Sequence, residues 1–303
     1  MERAWKSIKA KLDKGDYYDA YQLLLSRISR LPPNESLNIG LEKAKIFAEY
    51  GSSDVACYIC CHIIKVAREG DIKSDIKGID SIMDILKLCK SSPERSKLLN
   101  EALLWCKVSN MNEGEDILHR WASNIYYKEG IYHKAQGHVI FIDDADLYVD
   151  ILLKWQEMGY KSEKELFVLR AVLILLSLPK LNYARELLDK YCVINGYGYL
   201  ININNLEQDN INKDDNIANK KPPSPIQLAF LIVSTCELSD KYLGLDFMDI
   251  IKRKYALILR RDPLFNKLIE KIEQNILGKV SNQTRGILTN LLSMFSNGAT
   301  ESK

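Results

Sequence analysis

Residues 57–62 are the first place where residue types suggest chemistry, because Cys57, Cys60, Cys61 and His62 are all possible zinc ligands. A structural zinc site usually takes ligands from two such clusters, and the sequence offers no second one. The segment also follows an apolar helical pattern, made by Val55, Cys57, Ile59, Ile63 and Val66. We therefore expect the cysteines to pack in a helical core. A metal-dependent enzyme is the weaker alternative.

Asp143, Asp144 and Asp146 form an acidic cluster whose oxygens would suit a divalent cation. They also directly precede an apolar helical pattern. An aspartate there would cap the helix, and the others would favour its positive end. Capping is the preferred interpretation, with cation binding as the alternative.

His119, His133 and His138 are the remaining candidates for catalysis. No serine or cysteine nucleophile stands in a recognisable motif with them, and the sequence has no phosphate-binding glycine loop. Members of a triad need not be adjacent in sequence. We nevertheless expect a protein that is not an enzyme, has no cofactor and binds no metal.

A repeated pattern organises the elements that carry these residues: a glycine, four residues, then an alanine. It occurs at Gly15 and Ala20, at Gly51 and Ala56, and at Gly130 and Ala135, each time between amphipathic helical stretches. Glycine tolerates the positive φ of a tight turn, and alanine lets helices approach closely. The spacing fits helical hairpins of ~34–47 residues. It predicts an all-α, right-handed solenoid of stacked, tetratricopeptide-like hairpins.

Helix starts are marked by capping residues followed by proline or an acidic residue. Serine or aspartate precedes proline at Ser92, Ser224 and Asp262, and Ser162 with Glu165 fits a capping box. Roughly fourteen helices fit the chain, given the usual connection lengths. We expect residues 262–295 to be helical throughout.

Residues 195–221 break this helical pattern. They are rich in asparagine, and their first part alternates from Tyr197 to Asn204 as a short strand does. The pattern predicts a small β-hairpin followed by a mobile polar loop. A lone hairpin is marginal, so it would rest on the helices or pair with another chain.

Composition limits the class of function. The net charge of the 303 residues is +2, which gives no case for nucleic-acid binding. No apolar run reaches the ~20 residues of a membrane span. Seven cysteines without a regular framework indicate a reduced, cytosolic protein.

Two local basic groups stand out against this near-neutral total. One combines Lys6, Lys9, Lys11 and Lys14 with Arg27 and Arg30; the other lies at residues 252–261. Each basic group can be an ordinary solvent-exposed helix face. The cations of the second group can also be placed there because they stabilise the negative end of a helix dipole. The functional alternative for the first is a docking surface for an acidic partner.

Residues 14–22, with the letters KGDYYDAYQ, resemble the N-terminal signature of the Golgi-to-ER-traffic protein 4 family. Further similar elements follow in the same order, at residues 92–95, 102–105, 118–130, 259–263 and 282–292. The resemblance covers nearly the whole chain. It implies a curved stack of helical pairs that acts as a cytosolic adaptor in the guided entry of tail-anchored membrane proteins to the endoplasmic reticulum.

The resemblance also implies two binding surfaces. Residues 1–150 would bind the targeting ATPase, which carries the client's transmembrane helix. The ATPase-binding residues carried over to this chain are Lys9, Lys11, Lys14, Asp16, Arg27 and Arg30. Tyr17 and Tyr18 would be turn and core residues that keep the hairpin in shape.

Residues 151–303 would bind a ubiquitin-like partner through the strand-bearing insertion. The residues expected there are Tyr197, Tyr199, Ile201, Ile203, Pro222 and Phe230. The family's large animal chaperone-like partner is not inferred, because the residues after Phe295 include no long acidic extension. The alternative function is a helical-repeat scaffold of another assembly, of the proteasome-lid or translation-factor type. Such scaffolds commonly end in a winged helix.

Overall fold

The structure is a computed structural model in which residues 2–198, 200 and 224–279 are described, and every regular element among them is helical. The predicted all-α class is confirmed over these residues. The helices are α1 Glu2–Leu12, α2 Tyr17–Ile28, α3 Pro33–Glu49, α4 Ser53–Glu69, α5 Ile76–Leu88, α6 Pro93–Val108, α7 Asn112–Lys128, α8 Tyr132–Val139, α9 Ala145–Glu157, α10 Lys164–Ser177, α11 Leu181–Ile194, α12 Pro225–Glu237, α13 Lys241–Lys254, α14 Ala256–Leu259 and α15 Pro263–Asn275. A short 3-10 helix, Lys161–Glu163, precedes α10. Within the described residues, none of these helices has both the length and the hydropathy that a membrane crossing requires.

The chain forms two compact units, Met1–Ile142 and Asp143–Lys303. In the first, helices pack against the next helix and often the next but one, as α3 does with α4 and α5. This order is expected of stacked hairpins, while a right-handed solenoid through the whole chain stays a prediction. In the second unit, α10 is central and packs against α9, α11, α12 and α15. The functional division at residue 150 also stays a prediction.

The glycine–alanine turns have the predicted geometry. Gly15 and Gly51 each have a φ of +81°, and Gly130 has +72°. The alanines five residues later are fully buried. In each turn the residue after the glycine donates its N–H to a carbonyl five residues back, which closes the preceding helix. Asn110 adopts the same left-handed conformation between α6 and α7, a turn without the glycine signal.

Three of the four predicted helix starts are confirmed. The side chains of Ser92, Ser224 and Asp262 accept hydrogen bonds from backbone N–H groups of the first turn that follows. The capping box at Ser162 is wrong. Residues 161–163 form the 3-10 turn, and α10 begins at Lys164 without a side-chain cap. The Glu165 carboxylate instead reaches another part of the second unit.

The predicted β-hairpin lies mostly outside the described residues. Gly196 has a φ of +76°, and the N–H of Tyr197 bonds to the carbonyl of Cys192, so the chain closes α11 there. The predicted continuous helix over residues 262–295 is wrong in its described part. It ends at Asn275, and Gly278 with a φ of +72° leaves the helical conformation.

The turn at Gly51 provides a test of the backbone argument. A Cβ at Gly51 or at Gly137 would meet no atom within 4 Å, but only Gly51 has a positive φ. Gly51→Ala should therefore destabilise the protein by about 1 kcal/mol. Gly137→Ala, in α8, should be neutral or stabilising by up to about 1 kcal/mol. Urea unfolding measures both, and equal effects would contradict the argument.

Candidate docking surfaces

The cysteine segment lies in α4 and contributes mainly to packing. Cys57 and Cys60 are fully buried, which confirms the core interpretation for them. Cys61 is half-buried, and burial raises the pKa of its thiol to about 11. Among the described residues, no three His, Cys, Asp or Glu side chains are grouped as metal ligands.

The acidic cluster caps α9, as predicted. An oxygen of Asp144 accepts a hydrogen bond from the N–H of Leu147 at 3.0 Å. Its neighbours pair with lysines instead of converging on one point. Asp143 contacts Lys180 at 2.6 Å, and Asp146 contacts Lys190 at 2.7 Å. These ion pairs connect the start of α9 to the region of α11.

Two of the three histidines meet between α7 and α8. The Nδ1 atoms of His119 and His138 are 2.9 Å apart, and Phe141 stacks on His119. Burial lowers the pKa of His138 to about 4, so its ring is neutral near pH 7. His133 is exposed on α8. The pair therefore contributes to packing of the α7–α8 hairpin.

The N-terminal basic surface consists of Lys9, Lys11 and Lys14 near the α1–α2 turn, with Asp16 directly before α2, and of Arg27 and Arg30 at the other end of α2. Lys9 and Lys14 are exposed, as are both arginines, and these four have no ion pair within the described part of the chain. Lys11 differs, because its Nζ lies 2.8 Å from Asp19. Asp16 is exposed and makes no side-chain cap bond.

Two tyrosines hold this hairpin in place. The Tyr17 hydroxyl donates to the carbonyl of Tyr50, and the Tyr50 hydroxyl donates to Asp13 at 2.7 Å. These bonds tie the α1–α2 turn to the end of α3. The expectation that Tyr18 is a turn or core residue is wrong, because 69% of its side chain is exposed. Tyr18 therefore presents an exposed aromatic ring in the first turn of α2.

The residues predicted for the second surface are only partly described. Tyr199, Ile201, Ile203 and Pro222 lie outside the described residues. Tyr197 is half-buried, and its hydroxyl donates to Glu165 at 2.7 Å. Phe230 is only 6% exposed on α12, with the Arg185 guanidinium 4.9 Å from its ring. Both described residues therefore contribute to the interior of the second unit.

An exposed apolar stripe on α13 was not identified from the sequence. Leu243, Phe247 and Ile250 are 44%, 43% and 50% exposed and follow one another at helical spacing. The adjacent face of α13 is buried, with Gly244 and Met248 in the core. The sequence does contain a signal for this stripe. The apolar residues of α13 cover a wider part of the helix than a single packed face requires.

The buried Glu273 connects α13 to the end of α15. Its carboxylate is 1% exposed and lies 2.5 Å from Lys252 and 2.6 Å from Lys279. The Lys279 N–H also bonds to the Glu273 carbonyl at 2.9 Å. Lys252, from the second basic group, is therefore a structural cation. Arg260 and Arg261 of that group are exposed just after α14.

Comparison with known proteins identifies one family. A family model described as Golgi to ER traffic protein 4 matches residues 33–296. Proteins called Golgi to ER traffic protein 4 homolog are similar over nearly the whole chain. The one from Dictyostelium discoideum is 28% identical, covering 98% of this chain and 91% of the relative. Those from Oryzias latipes and Homo sapiens are 24% and 23% identical, each covering 96% of this chain and 87% and 86% of the relative.

A solved structure shares the fold. The crystal structure of C. therm. Get4 superimposes with a TM-score of 0.67 at 16% identity, covering 100% of this chain and 98% of that one. At this identity the likeness supports the fold alone.

Glu273→Gln tests the link between α13 and α15. The substitution keeps the shape but removes the charge that two lysines share, so it should destabilise the protein by about 2 kcal/mol. Glu270→Gln, at an exposed position of the same helix, is the control and should change stability little. Urea unfolding measures both, and a Glu273 variant as stable as its control would contradict the role of the buried carboxylate.

Proposed function

Because the chain belongs to the Golgi to ER traffic protein 4 family, we propose that it is a non-enzymatic adaptor in the targeting of tail-anchored membrane proteins to the endoplasmic reticulum. It bridges a ubiquitin-like co-chaperone and the targeting ATPase and so promotes handover of the client. It works in the cytosol, does not itself enter the membrane and binds no nucleic acid. Its helical pairs stack as a solenoid, which presents long surfaces to partners.

The observation that carries this proposal is that each unit has an exposed surface of different chemistry. The first unit has unpaired cations around the α1–α2 turn. The second has the apolar stripe of α13. Contiguous exposed apolar side chains are unusual on a monomer and mark interaction sites. Surfaces on separate units allow two partners to bind at once.

The basic surface is proposed to bind acidic helices of the ATPase. Lys9, Lys14, Arg27 and Arg30 contribute most, because none has its charge compensated by a described acidic residue. Lys11 contributes less, since Asp19 already neutralises it. Exposed charges of this kind speed association, and salt at 0.1 M screens their attraction beyond about 10 Å. Tyr18 adds an aromatic contact beside them.

The second surface is proposed to bind the apolar segment of the ubiquitin-like partner. Leu243, Phe247 and Ile250 of α13 would supply apolar contacts of this surface in addition to those expected at residues 197–222. Apolar burial depends little on salt, so this interface is the more permanent one. With one partner held there, handover from co-chaperone to ATPase becomes an intramolecular event on a single adaptor. The effective concentration of the client rises accordingly.

Charge reversal tests the basic surface. Lys9→Glu with Lys14→Glu should weaken ATPase binding at least tenfold at low salt and flatten its salt dependence, because the attraction is electrostatic. Isothermal titration with the purified ATPase measures both quantities. Lys267→Glu with Lys271→Glu, at exposed positions of α15, makes the same change in net charge and should leave binding unaltered. Equal losses in the two double variants would mean that only net charge matters.

A polar substitution tests the apolar stripe. Ile250→Asp places a charge where the partner would exclude water, so it should weaken binding of the ubiquitin-like partner about tenfold or more. ATPase binding should stay unchanged. Asp246→Ala, one turn away on α13, is the control for a change on this helix. Gel filtration at low and high salt, followed by titration, measures the effect; undiminished partner binding by Ile250→Asp would exclude α13 from the interface.

A further inference from the structure

Two cysteines in the first unit bring their sulfur atoms together. The Sγ atoms of Cys57 and Cys89 are 3.6 Å apart, although the residues are 32 positions apart in sequence. Cys57 lies in the first half of α4, and Cys89 directly follows α5. Both are free thiols, and they are 0% and 5% exposed. No other two of the described cysteines are in such contact. The proposed adaptor function makes no use of this pair.

The environment of Cys89 makes it the more reactive of the two. The Cys57 thiol donates a hydrogen bond to its sulfur, and this bond lowers the pKa of Cys89; the Arg95 guanidinium acts in the same direction. Burial instead raises the pKa of Cys60 well above its usual value. Since the thiolate is the reactive species, oxidation should begin at Cys89.

A surface cleft borders this pair, although neither cysteine is part of its lining. Its volume is about 620 Å³, and its lining includes Ser53 and Lys90. Lys90 is the chain neighbour of Cys89, and the Cys89 thiol donates a hydrogen bond to the Ser53 carbonyl at 3.7 Å. The lining also includes Gly15 and Tyr17 of the α1–α2 turn, and a small, uncharged oxidant in the cleft would be separated from Cys89 by these lining residues alone.

We propose that Cys57 and Cys89 form a reversible disulfide when the protein meets a hydroperoxide. The Cys89 thiolate attacks one peroxide oxygen, the O–O bond breaks, and the departing hydroxide takes a proton to become water. The Cys57 sulfur then attacks the sulfenic sulfur of Cys89. The S–O bond breaks, and the oxygen leaves with the Cys57 proton as a second water. Two thiols are oxidised and one hydrogen peroxide is reduced to two waters.

The required movement is small. The sulfurs must approach from 3.6 Å to about 2.05 Å, a shift within reach of side-chain rotation. Cys89 directly follows the last residue of α5 and has extended backbone angles, φ −80° and ψ 134°. The helix therefore restrains its backbone only on the N-terminal side. The product joins α4 to the end of α5 covalently. It should raise the thermal unfolding midpoint by limiting the unfolded chain.

Thiol counting and peptide mapping on the full-length protein test this site. After hydrogen peroxide in molar excess and alkylation under denaturing conditions, two of the seven thiols should be lost and then regained with dithiothreitol. Trypsin should release residues 46–65 linked to residues 88–90, with the link located at Cys57 by fragmentation. Seven surviving thiols, or a link through Cys60 or Cys61, would overturn the proposal.

Variants separate the pair from general oxidation. Cys57→Ser and Cys89→Ser should each abolish the link, whereas Cys61→Ser should retain it, because Cys61 is the half-buried neighbour on the same peptide. If a serine variant folds poorly, the tryptic peptide map of the unsubstituted protein still shows whether Cys57 and Cys89 are linked. Oxidation of Cys89 to the sulfinic acid without loss of the Cys57 thiol would also contradict the proposal. None of these readouts depends on the ATPase or the ubiquitin-like partner.

Discussion

The close approach of consecutive helices, made possible by a left-handed turn and a small buried residue, underlies the first unit. Gly15, Gly51 and Gly130 adopt positive φ, so only three or four residues separate each pair of consecutive helices. The buried alanines that follow let the helix backbones pack closely. Without these turns the tyrosines that tie the α1–α2 hairpin to α3 would not meet their partners. The basic surface depends on that hairpin.

The second unit depends on α10, which is apolar around most of its circumference and packs against four helices. Polar contacts then determine where the surrounding elements attach. Arg170 of α10 pairs at 2.6 Å with Asp262, which also caps α15. Glu165 accepts hydrogen bonds from Tyr197 and from the N–H of Ile226 at the start of α12. Two charged groups on one apolar helix thus help to position α12, α15 and the segment that follows α11.

The two proposed docking surfaces show how a nearly neutral chain can contain strongly different local surfaces. Some charges are compensated by a nearby opposite charge, as Lys11 is by Asp19. Lys9 and Lys14 are not, and their field extends into solvent. Helix α13 has a buried apolar face and, next to it, a second row of apolar side chains. The described part of the unit leaves this second row exposed.

The sequence by itself determined the local features: the helical class, the glycine turns, and the caps at Ser92, Asp144, Ser224 and Asp262. Each depends on residues within about one helical turn, so their spacing carries the information. The capping box predicted at Ser162 is wrong because of residues distant in sequence. The Glu165 carboxylate, which would have completed the box, instead accepts hydrogen bonds from Tyr197 and Ile226.

Only the tertiary structure decided which side chains are available. It buries Phe230, exposes Tyr18 and the α13 stripe, neutralises Lys11 but not Lys9, and places Cys57 against Cys89. These outcomes depend on which helices pack together and on which side chains then face each other. A local pattern of residue types does not encode that, because burial and pairing are energies of contact between segments far apart in the chain.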